Sequence, residues 1–201
     1  MFDSIRGVFK LPDLRNKVLF TVIVIAIYRF GTAVPVPGVN REILAGILGR
    51  ESAGILQFLN LLSGGALENF AVFTLGIMPY ITASIIMQLL RPVIPKIDEW
   101  SKEGETGERK ITQWTRFMTL GLAIVESIGT IFLFQSRLLE AAKQGAIQFS
   151  GFTNLTKLLI VISLVAGTVL IMWLGELITQ RGIGNGMSII ITISILAAFP
   201  K

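Results

Sequence analysis

NLLSGGALENFAVFTLGIMPYITASIIMQLLRP, residues 60–92, is the stretch on which the fold turns. Its second part, residues 70–90, is apolar and long enough to cross a bilayer as one helix. Its first part is too short to cross and is interrupted by Ser63, Gly64 and Gly65. Two glycines beside a serine weaken a helix, and hydrocarbon gives loosened backbone groups no partner. Such a segment survives at membrane depth only where protein or a wet cavity shields it. The expectation is a re-entrant half-helix over residues 54–70, followed directly by a full crossing. Half-helices mark the working centres of transporters and channels.

Composition agrees with a membrane chain. Hydrophobic residues make up 52% of the 201 and charged residues only 15%, against about 25% charged in soluble domains. There is no cysteine and no histidine, which removes disulfides, thiolate metal sites, Ser-His and Cys-His catalysis and the HExxH zinc motif. No catalytic residue, metal or cofactor is expected. GETGERK in residues 104–110 lacks P-loop spacing and follows no strand, and TQRGIGNG in 179–186 has no βαβ unit around it.

Outward from the deciding stretch, residues 1–17 read as an amphipathic interfacial helix, with Phe2, Ile5 and Phe9 on one face and Pro12 closing it. Crossings are expected near 18–34, 70–90, 111–134, 155–178 and 187–199. Residues 35–59 and 135–153 form outer loops, the first with a short surface helix over 40–48. Residues 91–110 form a polar hairpin loop, and 179–186 a tight glycine-rich turn. Trp114 and Trp173 suit interfacial positions. Glu126 stands near the middle of the third crossing, where a carboxylate costs about 2.5–3.5 kcal/mol and should face protein or water. Ser163 and Gly167 offer a small-xxx-small packing pattern.

Basic residues set the orientation. With the N-terminus inside, the cytoplasmic segments carry Arg6, Lys10, Arg15, Lys17, Arg91, Lys96, Lys102, Arg109, Lys110 and Arg181. The outer segments carry Arg41, Arg50, Arg137, Lys143, Lys157 and Lys201 over longer loops. The bias favours an N-terminus in the cytoplasm.

NLLSGGALENF with LGIMPYITASIIMQLL, KEGETGERKITQWTR from Lys102 and MWLGELITQRGIGNGMS from Met172 together resemble the SecY family, the central subunit of the Sec protein-conducting channel, in order along the whole chain. The resemblance implies an all-α polytopic membrane protein: five transmembrane helices plus a re-entrant plug, forming one half of an inverted-repeat SecY-type channel in the cell (plasma or inner) membrane. Residues 18–201 would be its N-terminal five-helix half. The plug centres on Asn60, Leu61, Leu62, Ser63, Gly64, Gly65, Ala66 and Leu67. Ile77, Ile81, Met187 and Ile191 fall at pore-ring positions, although any membrane helix yields apolar pairs one turn apart, and core packing alone would account for them. Thr82, Gln88 and Glu126 fall at the lateral gate, where a carboxyl bonded to a hydroxyl would latch the closed state; the plainer alternative is a protonated Glu126 satisfied by a neighbouring helix. Lys102, Arg109, Lys110 and Arg181 would face cytoplasmic partners. Implied partners are the second half of SecY, SecE and SecG, the SecA ATPase or a ribosome, signal sequences and lipid, with no direct nucleic-acid contact from this half.

Two other classes fit less well. A small-solute secondary transporter also uses half-helices and inverted repeats, but its midplane would want convergent polar groups, and here only Glu126 and Thr82 interrupt aliphatic surface. An intramembrane protease would need a histidine or an aspartate within a crossing. Five crossings put the two ends on opposite sides of the membrane, as expected of one unit of an inverted repeat. The chain is therefore expected to be a first half whose pore wall is open on one side.

Overall fold

The computed structural model describes residues 12–37, 39, 60–143 and 151–198. Among them are six helices: α1 (Pro12–Gly31), α2 (Met78–Leu90), α3 (Pro95–Lys102), α4 (Glu105–Lys143), α5 (Asn154–Arg181) and α6 (Gly186–Ala198). The only β pairing among these residues is an isolated antiparallel bridge between Pro35 and Ala71. Residues 1–11 of the interfacial helix expected over 1–17, the surface helix expected over 40–48 and the plug's residues 54–59 lie outside the described residues, while 12–17 belong to α1.

Several boundaries differ from the expectation. Among the described residues α1 begins at Pro12, where a missing N–H costs nothing, and Asp13 follows in the first turn. The second crossing is not helical over 70–90. The helix is the 13-residue α2, with Pro79 in its first turn, and residues 63–77 are built from turns. Phe70 (φ 44°) and Gly76 (φ 56°) adopt left-handed backbone, which no right-handed helix passes through. The Phe70 carbonyl accepts from the Val36 amide (3.0 Å), and the Val72 amide donates to the Val34 carbonyl (2.9 Å). An apolar run thus conceals two left-handed breaks.

The polar loop 91–110 also contains helix. α3 occupies its middle, the chain reverses at Gly104 (φ 70°), and α4 starts at Glu105. α4 is 39 residues long, about 58 Å at the α-helical rise, and overruns the expected 111–134 at both ends. Apolarity marks the slab of helix that lipid contacts. It does not mark the whole helix, which continues through good helix formers such as Leu138, Leu139 and Glu140. The turn expected over 179–186 is confined to 182–185, because α5 runs on through Arg181.

α4 packs against α2 and α3 on one side and α5 on the other, and α5 packs against α1 and α6. Thr21 meets the turn before α6 while Tyr28 meets Ser194 within it, so α1 and α6 run parallel. One apolar cluster joins Val24, Tyr28, Ala66, Phe73, Ile77, Ile171, Ile178, Met187 and Ile190. A second joins Leu67, Phe70 and Leu75 to Ala123, Ile131, Phe134, Ile160 and Leu164. Met87, Ile97 and Ile111 tie α2, α3 and α4 at the other end. Among the described residues α4 and α5 are long and apolar enough to cross a membrane, while α2 and α6 are shorter apolar helices.

Candidate functional site

The two larger clusters meet at the glycine turn. Residues 60–62 are helical, and from Ser63 the chain turns repeatedly. Asn60 organises the turn: its carbonyl accepts from the Gly65 amide (2.9 Å) and its side-chain oxygen from the Glu68 amide (3.1 Å). The Ser63 hydroxyl donates to the Asn60 carbonyl (3.0 Å) and accepts from the Leu67 amide (3.2 Å). Ser63, Gly64, Ala66 and Leu67 are buried, and Asn60, Leu61, Leu62 and Gly65 are half-buried. The local backbone demand is therefore met by its own side chains, as burial away from water requires. α5 makes room for the chain beyond the turn: a methyl group on Gly167 would lie 2.0 Å from the Val72 carbonyl oxygen. The small residue expected to serve helix–helix packing instead admits the re-entrant backbone.

The four apolar candidates come together. Ile77 and Met187 are buried members of the first cluster, and Ile81 and Ile191 are half-buried against it. Ala66, from the glycine turn, is wholly buried in the same cluster. So the turn and the four side chains share one apolar body. Asn185 starts the helix that carries two of them, its side-chain oxygen accepting from the Met187 amide (3.0 Å) and the Ser188 amide (3.4 Å) as an N-cap does.

The expected latch is not formed. No hydrogen bond joins Thr82 to Glu126, both are half-buried, and Gln88 is exposed. Glu126 instead lines a cavity of about 310 Å³ with Ser63, Leu67, Thr74, Met78 and Thr130 among its other walls. The three candidates lie on two helices that pack together, but only Glu126 reaches the space beside the glycine turn. Sequence spacing does not fix which face of α4 a carboxylate occupies relative to α2, and here it faces the turn.

At the opposite end Lys102 pairs with Asp98 (2.6 Å), Arg109 with Glu105 (2.8 Å) and Lys110 with Glu103 (2.8 Å). Lys96 and Lys110 each lie 5.9 Å from the Trp100 ring centre. The hydrogen bond that Lys102 donates to the Asp98 carboxylate holds its ammonium above its usual pKa. Arg181 is exposed at the end of α5. Arg15, Lys17 and Arg91 belong to this same end, at the start of α1 and the end of α2. Among the described residues no group of three metal-ligating side chains gathers anywhere.

Four long-range contacts escape sequence reasoning. The Arg29 guanidinium donates to the Gly64 carbonyl (3.1 Å). The Tyr28 and Ser194 hydroxyls are 2.6 Å apart. The Ile183 amide donates to the Thr21 hydroxyl (3.3 Å). Arg116 grips Glu176 through two nitrogens, Nε at 2.7 Å from Oε1 and Nη2 against Oε2. The available signal is positional: Thr21 and Tyr28 are polar residues two turns apart on α1, with Val24 between them on the buried face.

The SecY family model matches residues 71–201. The chain belongs to the SecY family. It is 47% identical to the protein translocase subunit SecY of Streptomyces coelicolor, covering all of this chain and 47% of that protein. It is 43% identical to the subunit of Bacillus subtilis, covering all of this chain and 45% of that one. The chain thus spans about half the length of the curated SecY relatives it matches. In fold it resembles Sec61 in the canine ribosome–channel complex from the endoplasmic reticulum and a further solved structure described as a protein-conducting channel. For each the TM-score is 0.59 and the identity 22%, covering 90% of this chain and 36% of the other. An all-helical SecY-type architecture is therefore established, with the glycine turn and the apolar cluster at its centre.

Proposed function

We infer that this chain forms one wall of a passive protein-conducting channel in the cell membrane, with its N-terminus in the cytoplasm. The channel would move unfolded secretory polypeptides across and release hydrophobic segments sideways into lipid. One observation carries the reading: the glycine turn, through Ala66, is packed into the same apolar cluster as Ile77, Ile81, Met187 and Ile191. That packing supports a plug seated against an apolar pore ring, which would exclude ions by dewetting. The basic residues gathered at the α3 end support the proposed orientation. Five crossings remain the proposed count, with α1, the short α2 and the short α6 completing those made by α4 and α5.

Energy would come from a partner, either the SecA ATPase or a ribosome, with SecE, SecG and the second half of SecY completing the pore. Lys102, Arg109, Lys110 and Arg181 are the proposed partner-facing residues. Thr82, Gln88 and Glu126 are kept as lateral-gate positions, with Glu126 acting through the cavity beside the turn, not through a bond to Thr82. A solute transporter finds no support, since the family match runs to translocase subunits.

The test is photo-crosslinking. A benzophenone residue at Ile81 or Ile191 should attach to a secretory polypeptide arrested in transit, and one at the exposed Leu170 of α5 should not. Equal capture at all three positions, or none at the first two, would remove the pore assignment.

A further inference from the structure

One described hydrogen bond reaches the glycine turn from outside the re-entrant segment. Arg29, half-buried on α1, donates from Nη1 to the Gly64 carbonyl at 3.1 Å. Gly64 has φ +66°, and a methyl group there would lie 3.3 Å from the Ser194 backbone and 3.4 Å from the same Arg29 nitrogen. Ser194 is bonded in turn to Tyr28, the residue before Arg29 (2.6 Å), and its hydroxyl also reaches the Ile190 carbonyl (2.8 Å). Tyr28 stacks on Phe73, just beyond the turn, with ring centres 5.7 Å apart. Two neighbouring residues of α1 thus grip the turn directly, its downstream chain, and the helix against which it rests.

We propose that Arg29, with Tyr28 and Ser194, is a clasp that sets how readily the Ser63–Gly64–Gly65 turn leaves its seat. The chemistry suits a releasable hold. A charged donor to a carbonyl is among the stronger single hydrogen bonds, yet it is the one described hydrogen bond between the Ser63–Gly64–Gly65 turn and α1. The assignment rests on the plug reading and adds the residue that governs it. Arg29 acts as a positioning residue, because it touches the turn and not the pore cluster.

The 201 residues contain no cysteine, so a cysteine introduced at one position is the only one among them, and labelling is compared with the same intact protein lacking it. Ser63, 3% exposed, becomes Ser63→Cys and is titrated with N-ethylmaleimide in membrane vesicles carrying the intact protein. Thr21→Cys, buried on the same helix as Arg29 and two turns away from it, reports general loosening of α1. Arg29→Met keeps length and loses the donors. It should speed labelling at Ser63→Cys by about ten-fold or more, the size of a lost charged hydrogen bond, while Thr21→Cys stays unchanged. No acceleration at Ser63→Cys overturns the clasp, and so does equal acceleration at both reporters. If Arg29→Met fails to insert, Gly64→Ala supplies the second route, since its methyl group pushes the turn off Arg29 and Ser194 from the other side. It should give the same selective rise, and unchanged labelling would equally end the proposal. Labelling is read without transport, so a failed clasp with intact crosslinking at Ile81 leaves the channel reading standing. Failed crosslinking with a selective Arg29 effect would leave a clasped turn of other purpose.

Discussion

Residues 60–77 and 91–110, which both interrupt the succession of long helices, are held in opposite ways. Residues 60–77 are largely buried and are fixed by partners far off in sequence: Pro35 and Val36, Arg29, Gly167 and Phe134. Residues 91–110 are largely exposed, and apart from Ile97 packed on Met87 and Ile111 their ties are ion pairs within seven residues, Lys102 with Asp98, Arg109 with Glu105 and Lys110 with Glu103. The difference follows from solvent. Water satisfies the polar loop whether or not its ion pairs form, so local pairs of small worth suffice. The re-entrant segment has no such fallback, so each backbone group must find protein.

If that contrast is right, the largest loss comes where the re-entrant segment enters the core. Ile77→Ala should cost about 2–5 kcal/mol, as deletions from packed cores do. Ile81→Ala, one turn on but only half-buried, should cost about 1–2 kcal/mol, in proportion to the area withdrawn. Denaturant titration of the purified protein in detergent measures both. Equal losses would mean that Ile77 is not part of a fixed core, and that the segment is as loosely held as the polar loop.

Legibility in the sequence divides along the same line. The existence and order of α1, α4, α5 and α6 follow from long apolar runs, and the glycine break at 63–65 announces a segment that cannot cross alone. Ile77, Ile81, Met187 and Ile191 share a cluster that their spacing alone does not require. Residues 70–77 read as helix and are not, because Phe70 takes a left-handed backbone that nothing in an apolar run signals. Snorkelling places Arg29 at the interface, but that rule concerns distance to water and ignores a carbonyl 35 residues away. Glu126 stands out as an anomaly in the sequence, but its facing toward Ser63 depends on the rotation of α4 against α2, which only packing decides.

The Arg116–Glu176 pair sharpens the contrast, because it is a long-range tie at the otherwise local end. Glu176 is 16% exposed and takes both of its bonds from Arg116. Removing the arginine leaves a mostly buried carboxylate unpaired. Arg116→Ala should therefore cost about 1–3 kcal/mol, and Glu176→Gln in the same background should recover part of it. A loss below the error of the titration would show that this end tolerates any broken pair, whatever its burial.

The smallest effect belongs to the exposed pairs of the polar loop. Arg109 and Glu105 are 78% and 82% exposed and stand one helical turn apart, so Arg109→Ala should cost no more than about 0.2–0.5 kcal/mol, and less in high salt. Lys102 gives the matching pH test. Asp98 raises its pKa in the folded chain, so any stability it contributes is complete below the unfolded lysine value. That contribution fades only as pH climbs through the higher folded one. Lys102→Gln should therefore remove that small contribution throughout the neutral range, and the slope against pH should change only in the alkaline limb. Yet both residues sit at the proposed partner-facing end, where exposure costs the fold nothing and leaves the cations accessible. Reversing them together, Lys102→Glu with Arg109→Glu, should leave unfolding of the purified protein nearly unmoved while weakening capture by a cytoplasmic motor or ribosome in a salt-dependent way. Loss of stability with unchanged capture would invert the assignment and make the polar loop structural, like the re-entrant segment it is contrasted with.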